Sequence, residues 1–441
     1  MTALLPLALL LELLALITHL EFLSVASGLL LVLFFVRHWV SLMLYPRRLG
    51  WVTLAALGIW IANGDAGWSE ARRVLSSAAY YGAFIAALGL MHCLVKRLER
   101  IGELHRLLLA GPRPLLYPGY VLSSFAISSI LSFGMLNLIC GSLGNHLGSR
   151  PFDDEQRREG QRGVMVAALR GFALVPLLAP TSVTVAILTR EFPSLGWTAL
   201  LPFGALSAVV LLLIGWPQET RRLARLRSDA PSGPSRPTAL LGLLGGSLVG
   251  IALIAAMAYF TWLSATQAAM VLVPLVAIAF LARRERPAGV YGEVTDTLVG
   301  MRNEVFIFAA SGLLGGVVAD LIPVALLAEH FSATPLAVFL LGAFGMLSII
   351  GLALLGVAPI ITLNLCAATL AQLATHGVPV MQPAVALLGG FSLAMLLSPY
   401  GPSALLLARH AQLSPWRIAY HWNGRFVLVA LPLLLAITLL A

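Results

Sequence analysis

The sequence is poor in charged side chains, which make up 11% of its 441 residues. Soluble domains carry about 25% charged residues. A soluble chain of this length would divide into two or three domains, each of which needs a polar surface. The charges present are too few for such surfaces, and apolar runs of about 20 residues, the length that crosses a bilayer, recur from end to end. The composition therefore excludes a soluble protein and predicts an all-α polytopic membrane protein.

Lysine is nearly absent, since Lys96 is the only lysine among 28 basic residues. The arginines lie in short clusters between apolar runs, as they do in the cytoplasmic loops of membrane proteins. Aromatic residues do not alternate with these clusters, as they would on a surface that stacks bases. Although the formal net charge is +9, we predict no nucleic-acid partner.

Cysteines and catalytic motifs are also scarce. The three cysteines, Cys93, Cys140 and Cys366, are scattered through apolar stretches without the spacing of a disulfide framework or a metal site. Paired catalytic carboxylates, a glycine-rich phosphate loop and a nucleophile triad are likewise missing. We predict that the protein is not an enzyme and that it holds no metal centre and no organic cofactor.

A long segment of the sequence occurs twice. Residues 171–197 (GFALVPLLAPTSVTVAILTREFPSLGW) and 390–416 (GFSLAMLLSPYGPSALLLARHAQLSPW) are identical at 9 of 27 positions without a gap. Leucine identities arise easily by chance in so apolar a chain, so the identities of proline, arginine and tryptophan are the stronger evidence for a repeat. These informative pairs are Pro180 and Pro399, Arg190 and Arg409, and Trp197 and Trp416. A Leu-Asn-Leu triplet upstream is also repeated, so we predict an internal duplication.

The apolar runs predict about eleven transmembrane spans. Two further apolar stretches, 115–147 and 334–375, are rich in glycine and serine and are broken near their middle. If the polar segment 217–237 is cytoplasmic, 24 of the 28 basic residues fall on that side, provided that each broken stretch enters and leaves on one side. Both stretches are therefore predicted as re-entrant hairpins. The predicted spans are 2–18, 22–36, 49–63, 78–95, 164–189, 197–215, 238–257, 268–282, 304–323, 381–408 and 425–441.

This topology makes the second repeat inverted relative to the first. Each repeat has five transmembrane helices plus one re-entrant hairpin, and one extra N-terminal helix precedes them. The N-terminus is predicted in the cytoplasm and the C-terminus outside. The predicted divisions are the extra helix 1–21, repeat 1 at 22–216, the cytoplasmic linker 217–237 and repeat 2 at 238–441.

Prolines interrupt the repeated spans at matching places. A proline removes a helical hydrogen bond and clashes with the preceding turn. Inverted repeats with broken helices are typical of secondary transporters, in which the freed backbone groups bind substrate and coupling ions. Hydroxyls beside the breaks are therefore candidate ligands, although the same hydroxyls would also serve to cap the freed backbone. These candidates are Thr181, Ser182, Ser398 and Ser403.

The predicted hairpins carry a second set of candidate ligands. An asparagine amide offers both an acceptor for a cation and a donor for a carboxylate. The alternative is a hydrogen bond between helices, which is common for asparagine in membrane bundles. The hairpin candidates are Ser132, Asn137, Thr362 and Asn364.

Few charges fall within the predicted spans. Arg170 is a candidate partner for an anion, because an arginine within a membrane marks a functional site by default. Its alternative is to extend to the cytoplasmic headgroups, which its depth of about 10 Å allows. Asp320 is the acidic residue furthest inside a predicted core helix and is the candidate proton carrier. Glu12 is expected at the outer membrane interface.

Several of these segments resemble the ion transporter superfamily, which includes dicarboxylate, citrate and arsenite carriers. The resemblance rests on LLAPTSVTVAILTRE, LLSPYGPSALLLARH, the asparagine-bearing hairpins and the run EVFIFAASGL at 304–313. It is closest to a little-characterised prokaryotic membrane family grouped with those carriers. The resemblance implies an elevator-type carrier, often dimeric, that moves anions with Na⁺ or H⁺. This chain has Leu-Asn-Leu where the sodium-coupled dicarboxylate carriers have Ser-Asn-Thr, which leaves the coupling ion and the substrate open.

We therefore expect a secondary active transporter of a small, organic-acid-like anion, coupled to H⁺ or Na⁺, in the bacterial inner membrane. Its expected partners are the anion and the lipid bilayer, and a homodimer is possible. Two other functions stay open. One is a non-enzymatic membrane subunit of a larger assembly, and the other is an exporter of an amphipathic or lipid-linked molecule.

Overall fold

The computed structural model describes residues 3–64, 67–95, 105, 108–109, 111–131, 134–148, 153–226, 238–324 and 334–441. The structure is 86% helical, and no strand occurs within these ranges. Nine of the described helical segments are long and apolar enough to cross a membrane, and four further apolar helices have 10–17 residues. The predicted all-α polytopic fold is confirmed, whereas the count of eleven spans and the inverted repeat stay predictions.

The described residues of the first half of the chain form eleven α-helices. Their apolar sequences contain long runs of good helix formers, and local capping sets several of their starts. For example, the Asp153 carboxylate accepts a hydrogen bond from the Gln156 amide at the start of α8. The helices are α1 (Leu4–Thr18), α2 (Glu21–His38), α3 (Leu44–Ala62), α4 (Trp68–Gly89), α5 (Met91–Val95), α6 (Leu116–Leu131), α7 (Gly134–Gly148), α8 (Asp154–Ala173), α9 (Val175–Leu178), α10 (Val183–Glu191) and α11 (Trp197–Leu223).

In the second half, nine α-helices lie within the described ranges. A capping box starts α13, where Ser264 and Gln267 exchange hydrogen bonds between side chain and backbone. A π-helical segment, Arg417–Trp422, leads into the last helix. The helices are α12 (Thr238–Phe260), α13 (Ala265–Ala282), α14 (Pro287–Gly300), α15 (Arg302–Leu321), α16 (Pro335–Leu354), α17 (Pro359–Thr375), α18 (Met381–Leu397), α19 (Pro402–Ala411) and α20 (Asn423–Thr438).

Several helices differ from the sequence prediction. Helix α8 begins about ten residues before the predicted span 164–189, because its Asp153 cap and two acidic residues in the first turn favour a polar helical start. Helix α11 continues into the predicted linker 217–237, of which residues 217–226 are helical. Helix α14 was not predicted as an element. The polar composition of these segments concealed helices that extend beyond the apolar runs.

The two ends of the bundle can be defined by side-chain contacts. At the end that we call the Trp262 end, the His19 ring of the α1–α2 turn lies 5.9 Å from the Trp262 ring of the α12–α13 turn. At the opposite end, called the Met43 end, the Met43 amide donates to Asn303 at 2.9 Å, which joins the α2–α3 turn to the start of α15. The chain passes between these ends many times.

The broken stretch 334–375 forms two helices, α16 and α17, of 20 and 17 residues. The Ala358 amide between them donates to the Tyr45 hydroxyl at 2.9 Å, so the tip of this hairpin lies at the Met43 end. The break predicted in this stretch is confirmed. The tip of the hairpin lies at the Met43 end, at the level of the start of α15. The other stretch, 115–147, likewise divides into two helices, and residues 132–133 between them lie outside the described part. Re-entry into the membrane stays a prediction for both.

Helix packing pairs equivalent parts of the two repeats. Helix α6 packs along α8 in the first half, as α16 packs along α18 in the second. Helices α11 and α20 pack on α8 and α18 respectively, and also on each other. Contacts across the halves are paired too, because α10 packs on α17 while α19 packs on α7. Each half therefore contributes a short helix to the hairpin of the other half.

Candidate functional site

The first helix break separates α9 from α10 at residues 179–182. The Thr181 hydroxyl donates to the backbone oxygen of Ser129 on α6 at 2.6 Å. The Ser182 hydroxyl accepts from the Val185 amide at 3.3 Å and caps α10. Ser182 therefore caps the freed backbone, which is the alternative stated for it, whereas Thr181 bonds to the backbone of the neighbouring helix α6.

The second break separates α18 from α19, and one hydroxyl beside it makes no hydrogen bond to the described residues. Ser398 and Ser403 are both buried. The Ser398 hydroxyl has no hydrogen-bond partner within the described residues. Tyr400 lies against Gly356 in the α16–α17 loop, where a φ of +97° and the nearby tyrosine ring both favour glycine. The break and the hairpin tip are therefore in direct contact.

The hairpin candidates have different environments. The Asn364 amide donates to the Ser311 hydroxyl and to the Ile360 backbone oxygen, both at 3.1 Å, which is the predicted interhelical alternative. Asn137 is exposed, and its side-chain oxygen lies 3.0 Å from the His410 ring of α19. Thr362 is buried, and its hydroxyl has no partner among the described residues. Ser132 lies outside the described residues.

Arg170 is buried in a polar cluster between α8, α11 and α20. Its side chain is 5% exposed and lies 3.5 Å from the carboxylate of Glu219, which is 1% exposed. The Arg170 guanidinium also donates to the Asn423 side chain at 3.4 Å and lies over the Phe426 ring. Extension toward the headgroups is therefore wrong for Arg170, because its guanidinium is buried and pairs with a carboxylate. That carboxylate, Glu219, lies in the segment that was interpreted as a linker.

Asp320 forms an ion pair near the Trp262 end. Both of its carboxylate oxygens accept from Arg73, at 2.6 and 2.7 Å, and the Gln372 amide donates to it at 3.0 Å. The Arg73 side chain is 49% exposed. Asp320 is therefore a paired carboxylate beside solvent.

A cavity of about 740 Å³ opens at the Trp262 end, and none of the ten predicted site residues lines it. It lies between α4 and α10 of the first half and the α12–α13 turn of the second half. Exposed Arg73 and Trp262 lie at its rim, and buried Tyr80 lies at its inner side. The lining residues are Arg73, Ser77, Tyr80, Thr189, Arg190, Glu191, Pro193, Ala258, Thr261, Trp262, Leu263, Ser264 and Gln267.

Two arginines line this cavity, Arg73, which pairs with Asp320, and Arg190. The Arg190 guanidinium donates to the Ser76 hydroxyl at 3.2 Å and lies 4.3 Å from the centre of the Tyr80 ring. Arg190, unlike Arg73, forms no ion pair within the part of the chain that the structure describes. The adjacent Glu191 carboxylate accepts from the Tyr81 hydroxyl at 2.9 Å. Arg190 thus has donors left for a carboxylate or phosphate, which a guanidinium binds in a two-pronged geometry.

Hydroxyl groups surround the cavity on the side of α13. Thr266 lies 3.3 Å from the Thr189 hydroxyl and 3.0 Å from the Ser264 hydroxyl. The Tyr80 hydroxyl lies 3.5 Å from Thr266. Tyr80, Thr189 and Ser264 line the cavity, so their hydroxyls can donate hydrogen bonds to the oxygens of a bound anion or accept them from its hydroxyls. Thr266 is buried behind them.

Sequence reasoning noticed Arg190 only as one identity of the repeat. Its position beyond a broken span, together with the adjacent tyrosines of α4, was the signal available. Glu12 was expected at the outer interface, and this is wrong, since it is 1% exposed inside the bundle. In both cases the neighbours come from distant parts of the sequence.

Comparison with known proteins adds no identification. No family model matches the chain, and no curated protein matches it. The resemblance to the ion transporter superfamily therefore stays a prediction.

Proposed function

We propose that the protein is a secondary active transporter of a small anion, and that Arg190 binds the anion in the cavity at the Trp262 end. The single observation that carries this proposal is a half-buried arginine without an ion pair in the described structure, facing a cavity of about 740 Å³. Small-molecule sites have volumes of about 300–1,000 Å³ and few polar groups. An organic acid fits both the volume and the donors.

The paired helix contacts support an inverted repeat. The packing of α10 on α17 has a counterpart in the packing of α19 on α7, and that of α6 on α8 has one in α16 on α18. Two similar halves with opposite orientations supply two nearly equivalent arrangements, which alternating access requires. The cavity lies between elements of both halves, so a movement of one half against the other changes its access. An elevator-type movement is the form that the resemblance implies.

The proposed orientation follows the basic residues. The Met43 end carries Arg37, Arg47, Arg48 and Arg302 at the ends of α2, α3 and α15. Basic residues favour the cytoplasmic side of a membrane. In a bacterial inner membrane the Trp262 end then faces outward, with the N-terminus inside and the C-terminus outside. The cavity is open to the outer side in this arrangement, and H⁺ or Na⁺ is the proposed coupling ion.

The experiment compares Arg190→Gln with Arg409→Gln, its matched control. Arg409 is the equivalent position of the second repeat and is exposed on α19. We expect the purified wild-type chain to bind succinate or inorganic phosphate, with a change in tryptophan fluorescence because Trp262 lies at the cavity rim. Loss of a charge-assisted pair costs about 1.5–3 kcal/mol, so Arg190→Gln weakens binding by about 10- to 100-fold.

Transport is measured with the same variants in proteoliposomes. We expect uptake of the bound anion by wild type and Arg409→Gln and little uptake by Arg190→Gln. Unchanged binding and uptake in Arg190→Gln would place the site elsewhere. An absence of both activities in the wild-type protein, with either anion, would instead favour a membrane subunit of a larger assembly.

A further inference from the structure

Glu12 lies inside the helical bundle although it is ionisable. Helix α1 packs against α2 and α4, and the Glu12 carboxyl points into this contact with 1% of the residue exposed. One of its carboxylate oxygens has no hydrogen-bond partner among the described residues. An acidic residue buried at membrane depth is costly unless it is paired or protonated. Glu12 is therefore a candidate functional residue.

A line of polar groups joins Glu12 to the cavity. The carboxyl lies beside the Ser24 hydroxyl of α2. The Ser24 hydroxyl lies 2.8 Å from the Ser76 hydroxyl of α4, which accepts from Arg190 at 3.2 Å. The line therefore runs from α1 to α10 by way of two hydroxyls, one on α2 and one on α4. Such a line orients hydroxyl dipoles between the two charges, so the protonation state of Glu12 changes the electrostatic potential at Arg190.

We propose that Glu12 is the binding site of the coupling ion and that this ion is a proton. This inference rests on the proposed function, since it assumes that Arg190 binds the anion. The step is a protonation in which the Glu12 carboxylate takes up one proton and forms an O–H bond, without any transfer of electrons to or from the protein. A single carboxylate beside one serine hydroxyl offers a proton a site, whereas Na⁺ needs several oxygen ligands.

Proton and anion then bind cooperatively. When Glu12 is ionised, its negative charge balances part of the Arg190 charge and weakens the attraction for an anion. Protonation removes that negative charge and leaves Arg190 available. By linkage, the anion favours the protonation of Glu12 to the same extent that the proton favours anion binding. The loaded carrier moves one proton together with one negative charge of the substrate.

Other charged groups surround Glu12 at greater separation. Arg190 of α10 and the Tyr80 phenol of α4 interact electrostatically with Glu12. Helix α13, which also contacts α1, carries no ionisable side chain, and it contributes the Thr266 hydroxyl beside Tyr80. The remaining titratable residues on helices packed against α1 are Glu21, Arg37 and His38 on α2, Glu70, Arg72, Arg73 and Tyr81 on α4, and Tyr291, Glu293 and Asp296 on α14.

The first test measures the protonation of Glu12 by infrared spectroscopy of the full-length protein at different pH values. We expect a carboxylic-acid band that titrates with pH and is missing in Glu12→Gln. It should remain in Glu21→Gln, the control, whose carboxyl is exposed in the neighbouring turn. Arg190→Gln removes a positive charge and should move the midpoint of this titration to higher pH. A band that does not titrate, or a midpoint that Arg190→Gln leaves in place, would overturn the proposal.

The second test measures the pH dependence of succinate and phosphate binding. If binding requires a protonated Glu12, wild-type affinity falls about tenfold per pH unit above the midpoint. Glu12→Gln, which mimics the protonated form, should keep its affinity across that range and lose uptake driven by a pH gradient. Ser76→Ala should reduce the pH dependence without removing Glu12. If Arg190→Gln abolishes binding while Glu12→Gln retains the wild-type pH dependence, the anion site at Arg190 is supported and the proton site at Glu12 is refuted.

Discussion

The ion pair between Arg170 and Glu219 allows a quantitative stability prediction. At their separation of 3.5 Å, two unit charges attract each other by about 5 kcal/mol in a medium of effective dielectric constant about 20. Glu219→Gln removes this attraction and leaves the Arg170 charge buried without a carboxylate. Removing one partner of a buried pair costs about 3–5 kcal/mol. A glutamine oxygen still accepts a hydrogen bond, so we expect a loss near the lower value, about 3 kcal/mol.

Equilibrium unfolding in detergent, followed by circular dichroism, measures this loss. The matched control is Glu155→Gln, because Glu155 pairs with Arg225 at 2.8 Å but is 80% exposed. Exposed pairs contribute about 0–1 kcal/mol. The double variant Arg170→Met with Glu219→Leu removes both charges and fills the space with apolar atoms, so we expect it to be more stable than Glu219→Gln.

Two outcomes would refute this reasoning. One is an unfolding free energy of Glu219→Gln that equals the wild-type value. The other is a double variant that is less stable than either single replacement, which would mean that the pair contributes through packing and not through charge compensation. Glu219 also pairs with Arg222 at 2.7 Å, so its replacement removes that contact too, although Arg222 keeps its contact with Glu159 at 3.2 Å. The measured loss therefore covers the charges of both arginines.

Two further predictions concern packing and surface charge. Gly204→Ala should destabilise the fold by about 1–3 kcal/mol in the same unfolding assay, because the new methyl group would meet the Leu177 backbone oxygen, which cannot rotate away. Gly250→Ala is its control, since no atom lies within 4 Å of that methyl position, and a loss equal to that of Gly204→Ala would contradict the steric explanation. Asp320→Asn should change stability by less than about 1 kcal/mol and leave the infrared titration assigned to Glu12 in place, whereas loss of that titration would return the role of proton carrier to Asp320.

The helix breaks could be predicted from the sequence because their cause is local. Pro180 and Pro399 each disrupt a helix whatever surrounds them, and the structure interrupts both repeated spans at those places. The break before Pro359 follows from the same rule. By contrast, the α8 start depends on a cap and on packing outside the apolar run, so hydropathy alone placed it about ten residues too late.

The partners of the charged residues could not be predicted. Arg170 meets Glu219 across 49 positions, and Arg190 reaches Ser76 across 114. Which of several distant polar residues approaches an arginine depends on how the helices cross, and no spacing along the chain encodes that crossing. The sequence therefore left Arg170 between an anion site and the headgroups, placed Glu12 at the interface and identified Arg190 only as one identity of the repeat.

The exchange of short helices between the two halves has a consequence for how the chain is made. Helix α10 packs on α17, which the ribosome delivers more than 160 residues later. The first half consequently waits in the bilayer with one face of α10 unmatched until residue 375 has been inserted, and α19 then completes α7. A chain interrupted between the halves leaves this face unfilled, which exposes it to membrane proteases and to wrong partners. Assembly of the protein is thus a late event, completed by the C-terminal third of the sequence.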